Sequence, residues 1–367
     1  METLRLTVEA GDPESEASRR AIAQAAEILR GGGTVAFPTE TVYGLGANAL
    51  DVAAVEKIFV AKERPSWDPL IVHIGEREML GTVAAEVSQD ANRLMEAFWP
   101  GPLTLLLVKH PRIPEIVTAG LERVGVRMPA HPVAQALLRA AEVPVAAPSA
   151  NRFGRISPTC ADHVAEDLEG RIDAILDGGE TTHGVESTVV DVREDGCVIY
   201  RPGTITLEQL RPVCRGEVRF RTELGEGELA KAAPAPGMGV RHYAPRARLV
   251  LVEGAGLGGV ELAMMEEVNR LEAAGEVVGA MAPGGFMAAL MAMRKKPFDI
   301  RGFTMGHNTV HVYHWGSWGN PEELARKLYA GLRWLDAAGV TVIVCPLPAP
   351  VGIGLAVRDR LVRASDR

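Results

Sequence analysis

Apolar residues recur at three- and four-residue intervals through Ile22, Ala25, Ala26 and Leu29, the spacing of one helix face. Asp12-Pro13 ahead of them reads as a helix cap with proline at the first helical position, and Gly31-Gly32-Gly33 stops the run. Short apolar runs bounded by turn residues predict buried strands at 34–37, 69–74, 103–108 and 143–147. Asp51 caps a second helix expected to reach Phe59, and Pro132 and Pro158 suit two further helix starts. The pattern predicts a mixed α/β domain with many short strands and without simple βαβ regularity, so a plain doubly wound domain is not expected.

Residues 215–247 break the pattern. They are rich in Gly, Pro and charge, carry little periodicity and read as a linker. A regular alternation follows: strand 248–253, helix 260–273, strand 277–281, helix 321–338, strand 340–345 and a closing helix 355–364. At 367 residues the chain is too long for one ordinary core. The expected organisation is therefore a domain over 1–214, a linker over 215–247 and a smaller α/β domain over 248–367.

Composition narrows the function classes. Four scattered cysteines form no C-x-x-C pair, which argues against a disulfide framework and a cysteine zinc site. The first residues lack the apolar core of a signal peptide, and the longest uncharged run, Val277 to Met293, is broken by Pro283-Gly284-Gly285. A cytoplasmic protein without a membrane partner is expected. A net charge of −8 excludes a bulk basic surface for nucleic acid but leaves a local basic groove open.

Two motifs carry less than they promise. Gly254-Ala255-Gly256-Leu257-Gly258-Gly259 fits G-x-G-x-x-G between a strand and a helix, yet the next strand ends Met281-Ala282-Pro283 without the acidic residue that would hold a ribose. A glycine-rich turn is the plainer reading. His307, His311 and His314 have metal-like spacing, but in a strand His311 and His314 face opposite sides and no general-base glutamate accompanies them. G-x-S-x-G and P-loop motifs are both absent.

Polar residues instead gather at the ends of the first domain's apolar strands. The segments are Pro38-Thr39-Glu40-Thr41-Val42-Tyr43-Gly44-Leu45-Gly46, Lys62-Glu63-Arg64-Pro65-Ser66-Trp67-Asp68-Pro69-Leu70 running into His73, and Val124-Gly125-Val126-Arg127-Met128-Pro129. Two more follow: Ala147-Pro148-Ser149-Ala150-Asn151 with Ser157-Pro158-Thr159, and Glu186-Ser187-Thr188-Val189-Val190-Asp191 with Arg201-Pro202-Gly203. Lys62, Arg64, Arg127 and Arg201 are cations beside breaks in structure, where they suit phosphates or carboxylates. Thr41, Ser149, Asn151, Ser157 and Ser187 supply short hydrogen-bonding groups that orient a ligand. Any one of them alone reads as structural; five segments together read as a site.

In order and spacing these segments resemble the signature of the threonylcarbamoyl-AMP synthase family, the YrdC-like fold, in its long form. Pro236-Gly237-Met238-Gly239-Val240-Arg241-His242-Tyr243-Ala244-Pro245 resembles the linker of that form, and Gly352-Ile353-Gly354-Leu355-Ala356-Val357-Arg358-Asp359-Arg360-Leu361 the end of its second domain. The resemblance implies a twisted mixed sheet flanked by helices (YrdC-like), followed by a smaller Rossmann-like α/β domain. It implies a nucleotidyltransferase that makes L-threonylcarbamoyladenylate and pyrophosphate from ATP, L-threonine and bicarbonate, with Mg²⁺ accompanying ATP. The adenylate would feed a separate tRNA threonylcarbamoyl transferase, and a weak RNA contact stays open. Carried over by motif, Thr41, His73, Arg127, Ala147 and Ser187 would hold threonine. Lys62, Arg64, Asp68, Arg123, Ser149, Asn151, Ser157, Arg201 and Tyr243 would line the ATP side, with Lys62 and Arg64 acting on the reacting phosphates and Tyr243 folding over the nucleotide as a lid. No metal ligand is expected from protein side chains.

Two other readings stand beside this one. An RNA-binding module would use a basic groove without catalysis, but five Trp, five Tyr and eight Phe are few for a stacking platform. The hydrogenase maturation proteins that share the fold carry an acylphosphatase-like segment and paired-cysteine zinc motifs, which this chain lacks.

Overall fold

The computed structural model describes residues 2–9, 11–221, 242–284, 286 and 310–365. Much of the expected linker and His307 lie outside the described residues. The chain divides into two compact units, Met1–Phe153 with Ser157–Gly239, and Gly154–Ile156 with Val240–Arg367.

The first unit is built on one mixed sheet. Its strands are β1 (Leu4–Thr7), β2 (Val35–Phe37), β3 (Gly44–Asn48), β4 (Ile71–His73), β5 (Ala84–Glu86), β6 (Leu103–Lys109), β7 (Arg123–Arg127), β8 (Val145–Ala146), β9 (Ala174–Asp177), β10 (Thr188–Arg193), β11 (Gly196–Arg201) and β12 (Glu217–Phe220). They lie in the order β1-β9-β2-β3-β8-β4-β7-β6-β10-β11-β12, with β5 paired to β6. Parallel and antiparallel neighbours mix, as in β4 parallel to β7 and β6 antiparallel to β7. The longer helices are α1 (Glu16–Arg30), α2 (Val52–Lys62), α3 (Gln89–Phe98), α4 (Pro132–Ala141) and α5 (Ala161–Leu168).

Side chains alternate across this sheet with the strand period of two. Ala36, Leu45, Ala47, Val72, Ala146 and Ile175 enter a core with α2, α3 and α5. Val35, Phe37, Val145, Ala174 and Leu176 enter the opposite core with Ile22, Ala25, Ala26 and Leu29 of α1 and Val133, Leu137 and Leu138 of α4. Gly46 serves this second face: a Cβ there would lie 2.7 Å from Val145 Cγ1 and 2.9 Å from Phe37 Cε1. The strands and helices thus form the three-layer arrangement that the resemblance implies.

Some boundaries differ from expectation. Helix α1 starts at Glu16 with Ser15 as its cap, the hydroxyl accepting from the Ser18 N–H at 3.2 Å. Asp12 instead closes the preceding turn, accepting from the Glu14 N–H at 3.1 Å. Both residues are good cap formers, and the chain uses the one next to the apolar periodicity. Pro158 precedes α5 by several residues rather than starting it.

The second unit holds a four-stranded parallel sheet of β13 (Arg248–Val252), β14 (Val278–Pro283), β15 (Val310–Gly316) and β16 (Val342–Pro346), ordered β13-β16-β14-β15. Helices α6 (Gly256–Ala273), α7 (Pro321–Ala337) and α8 (Ile353–Ser365) accompany it. Val260, Met264 and Val268 of α6 pack on Val278, Ala280, Val342 and Val344. Helix α6 takes in the glycine-rich segment that reads as a turn from sequence. Gly254 lies against the first turn of α6, where its own Cβ would fall 2.2 Å from the Gly259 carbonyl carbon, so only glycine fits there. His311 and His314 lie on β15. Among the described residues no helix is long and apolar enough to cross a membrane.

Candidate active site

The Pro38–Tyr43 loop between β2 and β3 is the centre of the site, and its own side chains shape it. Thr39 Oγ1 donates to the Val42 carbonyl at 2.7 Å and accepts from the Thr41 and Val42 N–H groups at 3.2 and 3.3 Å. That tight turn fixes Thr41 and Glu40. Backbone hydrogen bonds stitch it to two more loops: the Tyr43 N–H to the Pro158 carbonyl at 2.9 Å, the Ala150 N–H to the Tyr43 carbonyl at 2.8 Å, and the His183 N–H to the Glu40 carbonyl at 2.8 Å. Two of the five sequence segments, the first and the fourth, thereby meet at one place, together with the loop that carries His183.

Arg127, the last residue of β7, enters this loop. Its Nη1 donates to Thr41 Oγ1 at 2.9 Å, its Nε to the Gly101 carbonyl at 3.3 Å, and its Nη2 lies 2.6 Å from Glu40 Oε1. Glu40 Oε2 also accepts from the Ala130 N–H at 3.0 Å. Both residues of the pair are buried, at 4% exposure each. Burial pushes the Glu40 carboxyl upward, but the charge and hydrogen bond of Arg127 outweigh it and hold the group below its ordinary range.

His73 is the register partner of Arg127 across β4 and β7. Burial, and then the Arg127 charge, push its pKa down to about 3, so the ring is neutral. It stands edge-on to Phe37 with centroids 6.2 Å apart. Its buried Nδ1 finds no hydrogen-bond partner among the described residues. An unmet polar atom beside a fixed guanidinium is what a small polar ligand would satisfy. Ala147 donates its N–H to the Ile71 carbonyl at 2.8 Å. Its methyl is the nearest neighbour that a Cβ on Gly44 would meet, at 3.3 Å.

Ser187 precedes β10. Its hydroxyl lies 2.8 Å from Thr104 Oγ1, and Arg201 Nη2 donates to the same hydroxyl at 3.1 Å and to the Ser187 carbonyl at 3.0 Å. Ser157 donates to Glu186 Oε1 at 2.7 Å.

Lys62 ends α2, and its side chain is buried against the loop after β8. Its Nζ donates to the Ser149 carbonyl at 2.5 Å and to the Asn151 carbonyl. Burial, and then the neighbouring Arg64, hold its ammonium pKa well below the ordinary lysine value. Arg64 is anchored on the next turn, with Nη2 to the Pro69 carbonyl at 2.8 Å, Nε to the Asp68 carbonyl at 3.2 Å and an ion pair to Asp68 at 2.9 Å. Its guanidinium carbon lies 5.9 Å from the centroid of the Phe153 ring. An isolated bridge between Gly44 and Ser149 joins this cationic group to the Thr41 loop.

Two expected site residues have partners of their own. Arg123 begins β7, roughly 13 Å along the strand from Arg127 at about 3.3 Å per residue. It pairs with Asp191 at 2.9 Å and donates to the Leu106 carbonyl at 3.2 Å. Tyr243 belongs to the second unit, where its ring stacks on Tyr329 at 5.7 Å and Arg360 sits 5.2 Å from its centroid. Glu40, Thr104 and Glu186 are the contributors that the sequence reading did not single out. For Thr104 a signal existed: it is the one polar residue inside the Leu103–Val108 run. Among the described residues no group of three His, Cys, Asp or Glu side chains could hold a metal.

The chain is similar throughout to known proteins. Residues 27–203 match the Sua5, YciO and YrdC family model described as "Telomere recombination", and residues 205–366 match the model for "Threonylcarbamoyl-AMP synthase, C-terminal domain". A threonylcarbamoyl-AMP synthase of Pyrococcus abyssi is 45% identical over 93% of this chain and 93% of its own. One of Bacillus subtilis is 41% identical over 100% of this chain and 98% of its own. The crystal structure of Pyrococcus abyssi Sua5 complexed with L-threonine superposes with a TM-score of 0.85 at 42% identity, covering 99% of this chain and 98% of that one.

Proposed function

The chain belongs to the threonylcarbamoyl-AMP synthase family and forms L-threonylcarbamoyladenylate, the first step of threonylcarbamoyladenosine formation in tRNA; on that premise we propose how its own residues do so. Arg127, fixed by Thr41, Gly101 and Glu40, receives the threonine carboxylate through its remaining N–H groups. His73 Nδ1, unmet and uncharged, and the Ser187 hydroxyl orient the same amino acid, with Ala147 as a small wall. The threonine-bound Pyrococcus abyssi relative supports an amino-acid pocket in this fold.

ATP occupies the cationic side. Lys62 and Arg64 face its phosphates, and Arg201, Ser149, Asn151, Ser157 and Asp68 complete the lining. Magnesium enters with ATP as part of the substrate complex. The threonine amine adds to the carbon of bicarbonate with loss of water, or to CO₂ derived from it with loss of the amine proton, giving a carbamate. A carbamate oxygen then attacks the α-phosphorus and pyrophosphate leaves. No protein nucleophile is required; the residues bind, orient and neutralise charge. A separate transferase consumes the labile adenylate.

The observation that carries this reading is Arg127, a buried guanidinium held on three sides next to an imidazole with an unmet nitrogen. The test is pyrophosphate release from MgATP with L-threonine or bicarbonate omitted in turn. Release that needs both supports the reading. Release indifferent to threonine, or salt-dependent RNA binding without turnover, contradicts it.

A further inference from the structure

The pocket proposed for threonine contains a carboxylate that the reaction itself does not use. Glu40 lies 2.6 Å from Arg127, accepts from the Ala130 N–H at 3.0 Å, and is 4% exposed. Burying an ion pair costs desolvation that a well-packed neutral residue would avoid, so its presence calls for a role beyond stability. The other ionisable groups facing Glu40 are His73, His131 and His183, each driven toward the neutral ring by burial. Around Thr41, then, one positive charge is cancelled by one negative charge.

That balance matters because the other two substrates are anions. A lone Arg127 would attract bicarbonate, phosphate or any small carboxylate as readily as threonine. Threonine at neutral pH carries one charge of each sign. A neutral pair presents a fixed dipole, which favours a zwitterion and gives a simple anion no net attraction.

We propose that Glu40 is a positioning and specificity-determining residue: it holds Arg127 in place and cancels its charge, so that the pocket selects a zwitterionic amino acid over simple anions. This rests on the reading of Thr41, Arg127 and His73 as the threonine pocket.

The test is titration calorimetry with two probes, L-threonine and 3-hydroxybutyrate, which is threonine without its amino group. The unsubstituted protein should bind threonine at least about tenfold more tightly, a ratio that one interaction between close charges readily carries. Glu40→Gln should shrink that preference by about tenfold or more, weakening threonine and strengthening 3-hydroxybutyrate, while Glu40→Asp restores part of it. A merely structural Glu40 would weaken both ligands alike, and that result overturns the proposal. If Glu40→Gln fails to fold, the unsubstituted protein still decides: equal affinity for the two probes overturns the proposal. Failure of that protein to bind threonine at all overturns the pocket reading beneath it instead.

Discussion

Replacing Arg127 by alanine should cost the first unit stability as well as threonine binding, and the two effects are separable by pH. The substitution removes a guanidinium that contacts Glu40 at 2.6 Å and leaves a carboxylate, buried in the intact protein, with backbone N–H groups such as that of Ala130 and without its charged partner. Breaking a buried pair by removing one partner costs about 3–5 kcal/mol, because the remaining charge is desolvated without compensation. In the intact protein the Glu40 pKa is held below its ordinary value, so the pair contributes fully above the unfolded carboxylate range and is lost as pH falls through the folded value. In Arg127→Ala burial, the largest influence on the group, is opposed by backbone hydrogen bonds alone, so it raises the Glu40 pKa and lets the group protonate at a milder pH. The gap between the two proteins should therefore be largest near neutral pH and narrow on acidification. Urea unfolding at several pH values, followed through Trp67 and Trp99 of the first unit, reads this out. A gap under about 1 kcal/mol at neutral pH, or one that does not change with pH, would refute the reasoning.

Three further outcomes follow from the same geometry. Lys62→Ala should raise the KM for ATP about tenfold or more while leaving threonine binding intact, since it removes a charge-assisted contact; an unchanged KM would remove Lys62 from the site. Because burial holds the Lys62 pKa well down, a polyphosphate arriving beside it should draw a proton onto the amine. Calorimetry in buffers of different ionisation enthalpy should detect proton uptake on ATP binding, absent in Lys62→Ala. Gly46→Ala places a methyl 2.7 Å from Val145 Cγ1 and 2.9 Å from Phe37 Cε1, and should lower unfolding stability by about 1–3 kcal/mol. An unaltered urea midpoint would show that the second core yields there.

What the sequence disclosed, and what it hid, follows from how each residue signals itself. Thr41, Arg127 and Ser187 were legible because polar residues at the ends of apolar strands have few structural reasons to be there; the structure joins Arg127 to Thr41 and holds Ser187 between Thr104 and Arg201. Glu40 was not, because a single acid in a loop ordinarily reads as solvated; only its tertiary partner reveals a buried pair. Arg123 and Arg127 look alike as arginines at the two ends of one strand, yet one pairs with Asp191 and the other enters the pocket. The two α/β units were legible in outline from their periodicity. The start of α6 was not, because Gly256, Gly258 and Gly259 have low helix propensity; Gly259 packs on Gly254, and Gly256 adopts a φ of +66°, a conformation that glycine takes freely. Tyr243 was assigned from a motif alone, and the structure places it on Tyr329 within the second unit.

The most direct test of the central claim is the identity of the product. The protein would be incubated with MgATP, L-threonine and carbon-13 bicarbonate, quenched rapidly and analysed by mass spectrometry alongside pyrophosphate release. The account predicts a threonylcarbamoyl adenylate that carries the label in its carbamoyl carbon and appears in step with pyrophosphate. Threonyl adenylate without the labelled carbon, or pyrophosphate formed with no adenylate of threonine, would contradict it.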